Sequence, residues 1–348
     1  MAKIQKNKYG IVQTKHGFKI RGVVFGEKGK NFYTEDGSKR TVSFGVNINE
    51  NKPIYCRLQG YTKDKVYFSN SDRTKPETIP VDWTKRMKAP KDGFEIIGVR
   101  IGLETGSDGK NIVKSMTEYD AAQYLSQNLH DGDSVVIIGD IECYIANDGT
   151  LKRNYVPKQI YLEYEPINFS ADDFKEKALF NQTLVFTEIN KEEDENGKWT
   201  ERFTLCGYDV AYQNICNVNF VIGKESEKLA ANIKKTLKPF NSIDIGGYIN
   251  VILDISNDDE FDNGWGTPNE LNGKKKINSP IRTEFVVDSA IPSSIDTERY
   301  EEDEMMAAIK KMKSEKEARK NFGEKPNMST TAEEDDWGPD NTDDDNPW

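Results

Sequence analysis

His130-Asp131-Gly132-Asp133-Ser134-Val135-Val136-Ile137-Ile138-Gly139-Asp140-Ile141 decides how this chain is read, because its pattern returns at Lys238-Pro239-Phe240-Asn241-Ser242-Ile243-Asp244-Ile245-Gly246-Gly247-Tyr248-Ile249. Each copy is a polar turn, an apolar strand and a glycine. Each follows a helical segment: Thr117-Glu118-Tyr119-Asp120 opens one, with Thr117 as its N-cap, and residues 224–237 form the other. Ahead of each helix lie three strands. In the first copy these are residues 18–24, 40–48 and 53–59, with Glu35-Asp36-Gly37-Ser38 as a turn and a further strand at 65–69. In the second they are residues 184–189, 199–208 and 215–222. Two strands close each copy: 134–141 and 155–164, joined through the hairpin signal Asn147-Asp148-Gly149, then 242–249 and 281–287, joined by a long loop. Residues 70–93, with three prolines, read as a long loop.

Three strands, a helix and two strands is the element order of the OB-fold, a five-stranded Greek-key barrel. The expected architecture is therefore all-β with minor helices: two tandem OB-fold barrels, then a C-terminal helix and a disordered acidic tail. The expected boundaries are residues 1–168 and 169–296 for the barrels, 297–325 for helix and linker, and 326–348 for the tail. In 297–322, Met305, Met306, Ile309 and Met312 form a narrow apolar stripe, which either packs on a barrel or leaves a marginal helix.

The 348 residues are 36% hydrophobic and 31% charged. No apolar run approaches the roughly 20 residues of a membrane span, and no apolar stretch follows the basic start, so a cytoplasmic protein without membrane contact is expected. Net charge is −11, but residues 1–95 carry +10, residues 171–298 carry −9 and residues 332–348 carry −8. A basic front and an acidic end suggest a polyanion-binding surface with a competitor on the same chain. Cys56, Cys143, Cys206 and Cys216 are widely spaced and only two histidines occur, which argues for reduced thiols in strands and against structural zinc. The P-loop, H-E-x-x-H and G-x-S-x-G patterns are absent. Neither an enzyme nor a cofactor is expected.

The chemistry on offer is basic residues interleaved with rings. Single-stranded nucleic acid needs that mixture: cationic heads neutralise phosphates, and flat rings accept bases without reading them. Along 53–61, Tyr55, Arg57, Gln59 and Tyr61 share one face, and Ile54, Cys56 and Leu58 the other, which should be core. Phe44 and Phe68 also read as core. The candidate contacts are Lys19, Arg21, Tyr33, Arg40, Tyr55, Arg57, Tyr61, Lys63, Lys65 and Tyr67. The loop residues Trp83, Lys85, Arg86 and Lys88 join them, with Trp83 equally suited to pinning that loop to the barrel. Lys152, Arg153 and Tyr155 stand on the last hairpin, a usual gripping element of OB-folds. The second barrel offers a weaker set around Lys198, Trp199, Arg202 and Phe203, and Lys274-Lys275-Lys276 is a basic spot in its long loop.

The tail holds eight carboxylates and no Lys or Arg from residue 332 onward, yet includes Trp337 and Trp348. Indoles add nothing to a solubility spacer. Asp335, Asp336, Trp337, Asp343, Asp344, Asp345, Pro347 and Trp348 read as a peptide ligand, steered by charge and anchored by a ring.

Asp131 to Ile141, with the ending Asp343-Asp344-Asp345-Asn346-Pro347-Trp348, resembles the single-stranded DNA-binding proteins of bacterial and phage replication. It departs from that pattern in its terminal Trp348, where the family usually has Phe, in its two barrels, and in an insertion after the third strand. The resemblance implies a phage-encoded protein that coats single-stranded DNA regardless of sequence, in replication, recombination and repair. It also implies tail contacts with polymerase, helicase or primase, and recombination factors, and it leaves a homo-oligomer open. The alternative is a tandem OB-fold adaptor that binds replication or transcription proteins and presents its tail as a DNA mimic.

Overall fold

In the computed structural model, residues 5–70, 72, 74–146, 149–194, 196–253 and 281–322 are described. The first ring is built from β1 (His16–Phe25), β3 (Lys39–Asn47), β4 (Pro53–Tyr61), β10 (Ser134–Ile145) and β11 (Leu151–Leu162), with the short β2 (Tyr33–Asp36) on its margin. β1 pairs antiparallel with β3 and β10, β3 with β4, and β10 with β11. The ring closes where β11 runs parallel to β4, Tyr155 opposite Cys56. Helix α1 (Glu118–Asn128) bridges the third and fourth barrel strands, capped by Thr117, whose hydroxyl accepts the Asp120 N–H.

The second ring repeats the plan with β12 (Lys177–Glu193), β13 (Trp199–Val210), β14 (Ile215–Ile222), helix α2 (Glu227–Thr236), β15 (Ser242–Leu253) and β16 (Ile281–Asp296). Its parallel closure sets Val221 opposite Val286. The chain is thus all-β with minor helices, in two OB-type barrels. The two barrels share one sheet, because β1 and β12 pair antiparallel from His16 opposite Gln182 to Arg21 opposite Lys177.

The glycine that ends the repeated stretch has the same task in both copies. Opposite Gly139 the register skips Lys158, and opposite Gly247 it skips Asp288, so each hairpin carries a bulge at the matching place. A Cβ on Gly139 would lie 2.1 Å from the Val156 carbonyl oxygen, and one on Gly247 would lie 1.9 Å from that of Val286. No side chain fits there.

Alternation sorts the strands as expected: Phe44, Ile54, Cys56, Leu58 and Phe68 are buried. A single apolar core runs through both rings. In the second ring Phe180 stacks on Phe220 at 5.6 Å and meets Phe285 edge-on at 5.0 Å. All four cysteines are unbridged; Cys56, Cys143 and Cys216 are buried and Cys206 is half-buried. Among the described residues no helix is long and apolar enough to cross a membrane.

Two expectations change, and one left open is decided. Residues 70–93 are not one long loop: β5 (Lys65–Asn70), β6 (Thr78–Asp82) and β7 (Phe94–Ile96) form a separate small sheet. Pro80 hid β6, because proline argues against a strand unless the strand is an edge, and β6 is an edge. The strands β8 (Val99–Thr105) and β9 (Asn111–Met116) also precede α1, and β8 adds to the barrel beside β11. Of the two outcomes left open for α3 (Glu302–Phe322), packing holds: Met305, Ile309 and Met312 are buried with Ile11, Val185, Val210 and Ile215, while Met306 is exposed. Lys274, Lys275, Lys276 and the whole tail, including Asp335, Asp336, Trp337, Asp343, Asp344, Asp345, Pro347 and Trp348, lie outside the described residues.

Gly247→Ala should lower the thermal midpoint markedly, by about 1–3 kcal/mol of overpacking or more, since the opposing atom is backbone and cannot turn aside. An unshifted melting curve would remove the bulge from this account.

Candidate nucleic-acid interface

Outward positions on β3 and β4 face each other in pairs: Lys39 opposite Tyr61, Thr41 opposite Gln59, Ser43 opposite Arg57, Gly45 opposite Tyr55. The β3 members are small and the β4 members long. Thr41 and Ser43 are buried and the β4 members half-buried, so the trough between the two rows is surfaced by the β4 side chains. Along β4, Tyr55, Arg57, Gln59 and Tyr61 recur about every 7 Å, the two-residue repeat of a strand. At one end the Phe25 ring lies over Gly45, where a Cβ would sit 2.0 Å from it, and meets Tyr55 edge-on at 5.8 Å. Burial raises the Tyr55 hydroxyl pKa above its ordinary value, so the ring stays neutral at physiological pH. Exposed Lys28 and Lys30 stand on the loop after β1, and exposed Lys152 at the start of β11, beside the β10–β11 turn. These are the strand face and the two loops with which OB-folds bind oligonucleotides. The trough joins rings, one guanidinium and flanking ammonium groups on one surface.

Several expected contacts lie elsewhere. Tyr155 is a correction: it is buried, edge-on to Phe18 at 5.2 Å, with its hydroxyl pKa pushed far up by burial. It pairs with Ile141 and lies beside Cys56, both core positions. Arg153 is another, since its guanidinium lies 4.4 Å over the Phe285 ring and braces one barrel against the other. Arg40 is inward as well: it sits 4.0 Å over the Tyr119 ring, donates to Gln123 Oε1 at 2.7 Å and pairs with Glu35 at 3.0 Å. Tyr33 belongs to the same cluster, donating to Glu35 at 2.8 Å, its pKa raised to about 12 chiefly by burial. The alternation that assigns Phe44 to the core assigns Arg40 there too, and picks Lys39 for the trough.

Trp83 pins its loop. It meets Tyr119 edge-on at 5.6 Å, while the Arg86 guanidinium lies 4.2 Å over the indole and binds Asp120 through two bonds of 2.8 and 2.9 Å. Lys85 and Lys88 remain exposed beside it. Lys63 pairs with Glu118 at 3.6 Å. Lys65 and Tyr67 point outward from the small sheet, off the trough. Arg21 pairs with Glu163 at 2.7 Å, and Lys19 stands between Ile138 and Leu179, where β1 meets β10 and β12. In the second barrel the Trp199 indole N–H donates to the Arg202 carbonyl at 3.1 Å, and Lys191 lies 4.4 Å over that ring. Phe25, Lys28, Lys30 and Lys39 are further candidates that the sequence reading passed over. The outward parity of β1 carried one residue further would have found Phe25.

The Asp120 carboxyl titrates below its ordinary value: burial pushes it up, but the bonds from Arg86 and Thr117 outweigh that. A depressed carboxylate contributes stability above the unfolded value, about 3.9, and loses it as pH falls through the folded value. Arg86→Ala should cost about 2 kcal/mol near pH 7. In acid melts below about pH 4 the gap between variant and parent should narrow; a constant gap would show that the ion pair is not its source.

A family model described as YorF matches residues 70–325, a span that begins after β4. No curated protein matches the sequence. Among solved structures, the wild-type single-stranded DNA binding protein from Thermus aquaticus is 7% identical, with 80% of this chain and 93% of that one covered and a TM-score of 0.38. A deletion variant of the same protein is 8% identical, with 83% and 97% covered and a TM-score of 0.37.

Proposed function

We propose that this chain, which belongs to the YorF family, binds single-stranded DNA along the outer trough of β3 and β4 without reading its sequence. One observation carries the reading: Tyr55, Arg57 and Tyr61 stand on one face with Phe25 and Lys39, on the barrel strands whose outer surface suits an oligonucleotide. The rings accept bases from any nucleotide, and the cations neutralise phosphates. The +10 balance of residues 1–95 adds a long-range attraction for a polyanion. Coating of exposed strands in replication, recombination and repair follows from binding without base readout. The acidic end, residues 332–348, competes for the same cations and, once displaced, offers Trp337 and Trp348 to partner proteins such as polymerase, helicase or recombination factors.

Titration of a fluorescent oligo-dT at low and high salt tests this reading. Affinity should fall with log salt by about 0.7 per phosphate neutralised. Tyr61→Ala should weaken binding by about 1–3 kcal/mol, the worth of one stacked base, and Arg57→Ala should weaken it and flatten the salt slope. Absence of salt-dependent binding would favour the adaptor reading, in which the barrels hold protein. Deleting residues 332–348 should tighten the complex at low salt; equal affinities with and without them would refute the competition.

A further inference from the structure

The two barrels correspond strand for strand, so their outer faces can be compared position by position. Carried from the repeated stretch, where Ser134 corresponds to Ser242, through the strand registers and the two parallel closures, Gly45 and Tyr55 match Cys206 and Asn219, and Ser43 and Arg57 match Thr204 and Val221. Phe25, opposite Gly45, matches Glu188, opposite Cys206 beside a bulge in β12. The second face therefore presents Asn219 and Val221 where the first presents Tyr55 and Arg57, and an exposed Asn217 where the first has Pro53. Arg202, toward the far end of β13, is already held between Glu192 at 3.1 Å and Glu284 at 2.9 Å.

One end of that second face is covered by the chain itself. Val185, Val210 and Ile215 are buried beneath Met305, Ile309 and Met312 of α3, and the Ile215 N–H points at the Met312 sulfur at 3.2 Å. The segment before β1 closes the other side. Ile11 joins the same apolar cluster, the Thr14 hydroxyl donates to Asp209 Oδ1 at 2.6 Å, and Lys8 and Tyr9 both donate to Glu315 of α3 at 3.2 Å. Tyr208 is stacked on Phe240 at 6.4 Å.

We infer that the chain carries a single nucleic-acid track: the second barrel's equivalent face is a seat for α3 and the N-terminal segment, and the second barrel is a scaffold. The inference rests on the function proposed above. α3 is not a lid over a hidden second site. A ligand shifts an equilibrium only through its preference for one state, and lifting α3 would uncover the apolar surface of Val185, Val210 and Ile215, whose neighbouring Tyr208 ring is already stacked on Phe240.

The test uses the full-length chain and an oligo-dT of about eight nucleotides, within the site range of one OB barrel. The parent should saturate at one oligonucleotide per chain. A Tyr55→Ala/Arg57→Ala double variant should lose at least about tenfold in affinity, whereas Asn217→Ala/Asn219→Ala should stay within about twofold of the parent. Amide exchange read on the parent alone should slow in β3 and β4 upon binding and stay unchanged in α3, which guards against a variant that fails to fold. Two oligonucleotides per chain, equal losses from the two double variants, or faster exchange in α3 on binding would each overturn the inference while leaving strand binding intact. No binding by the parent would instead sink the proposed function, and this inference with it.

Discussion

The antiparallel ladder between β1 and β12 is the contact on which the rest of the molecule depends. These are the first strands of the two rings, and each would otherwise present unpaired N–H and C=O groups along this stretch. Pairing them from His16–Gln182 to Arg21–Lys177 removes both liabilities at once. It also makes one sheet and one core out of two barrels. Other contacts then fall across the seam: the Arg153 guanidinium on Phe285, and the Thr14 hydroxyl on the buried Asp209 carboxylate. β3 and β4 take no part in that ladder, so it leaves their outer face uncovered.

The basic residues divide by chemistry. Arg21, Arg40, Arg86 and Arg153 are engaged with carboxylates or rings of the protein itself, and Arg57 is the expected arginine that lies on β4. The planar guanidinium suits two-bond pairing and stacking, and it tolerates partial burial better than an ammonium. Lys28, Lys30, Lys65, Lys85, Lys88 and Lys152 stay at the surface, as a strongly hydrated point charge should. Counting positive residues therefore overstates the cations available to a ligand, since several of the arginines are bound within the protein.

The two barrels kept in common what packing enforces and differ where packing is silent. The glycine at the bulge, the apolar run before it and the parallel closure occur in both, because a side chain at Gly139 or Gly247 would strike a backbone oxygen. Outer-face residues obey no such limit. One face holds tyrosines and an arginine, whereas its counterpart holds asparagines and valine and is partly roofed by α3.

The sequence by itself determined the two-barrel plan, the order of elements, the core parity of β4 and the charge contrast between the chain's beginning and end. These are properties of local alternation, turn chemistry and composition, each confined to a few neighbouring residues. Only the tertiary structure decided which cations face outward. Arg40 and Tyr155 look like ligand residues in one dimension and become interior groups once α1 and the closing strand are in place. Trp83 could not be assigned until Tyr119, thirty-six residues away, was brought against it. The small sheet at β5–β7 was concealed by Pro80, a residue that speaks against a strand unless an edge position is known. The ladder from β1 to β12 joins positions more than 150 residues apart, and no local pattern records which strand edges will meet.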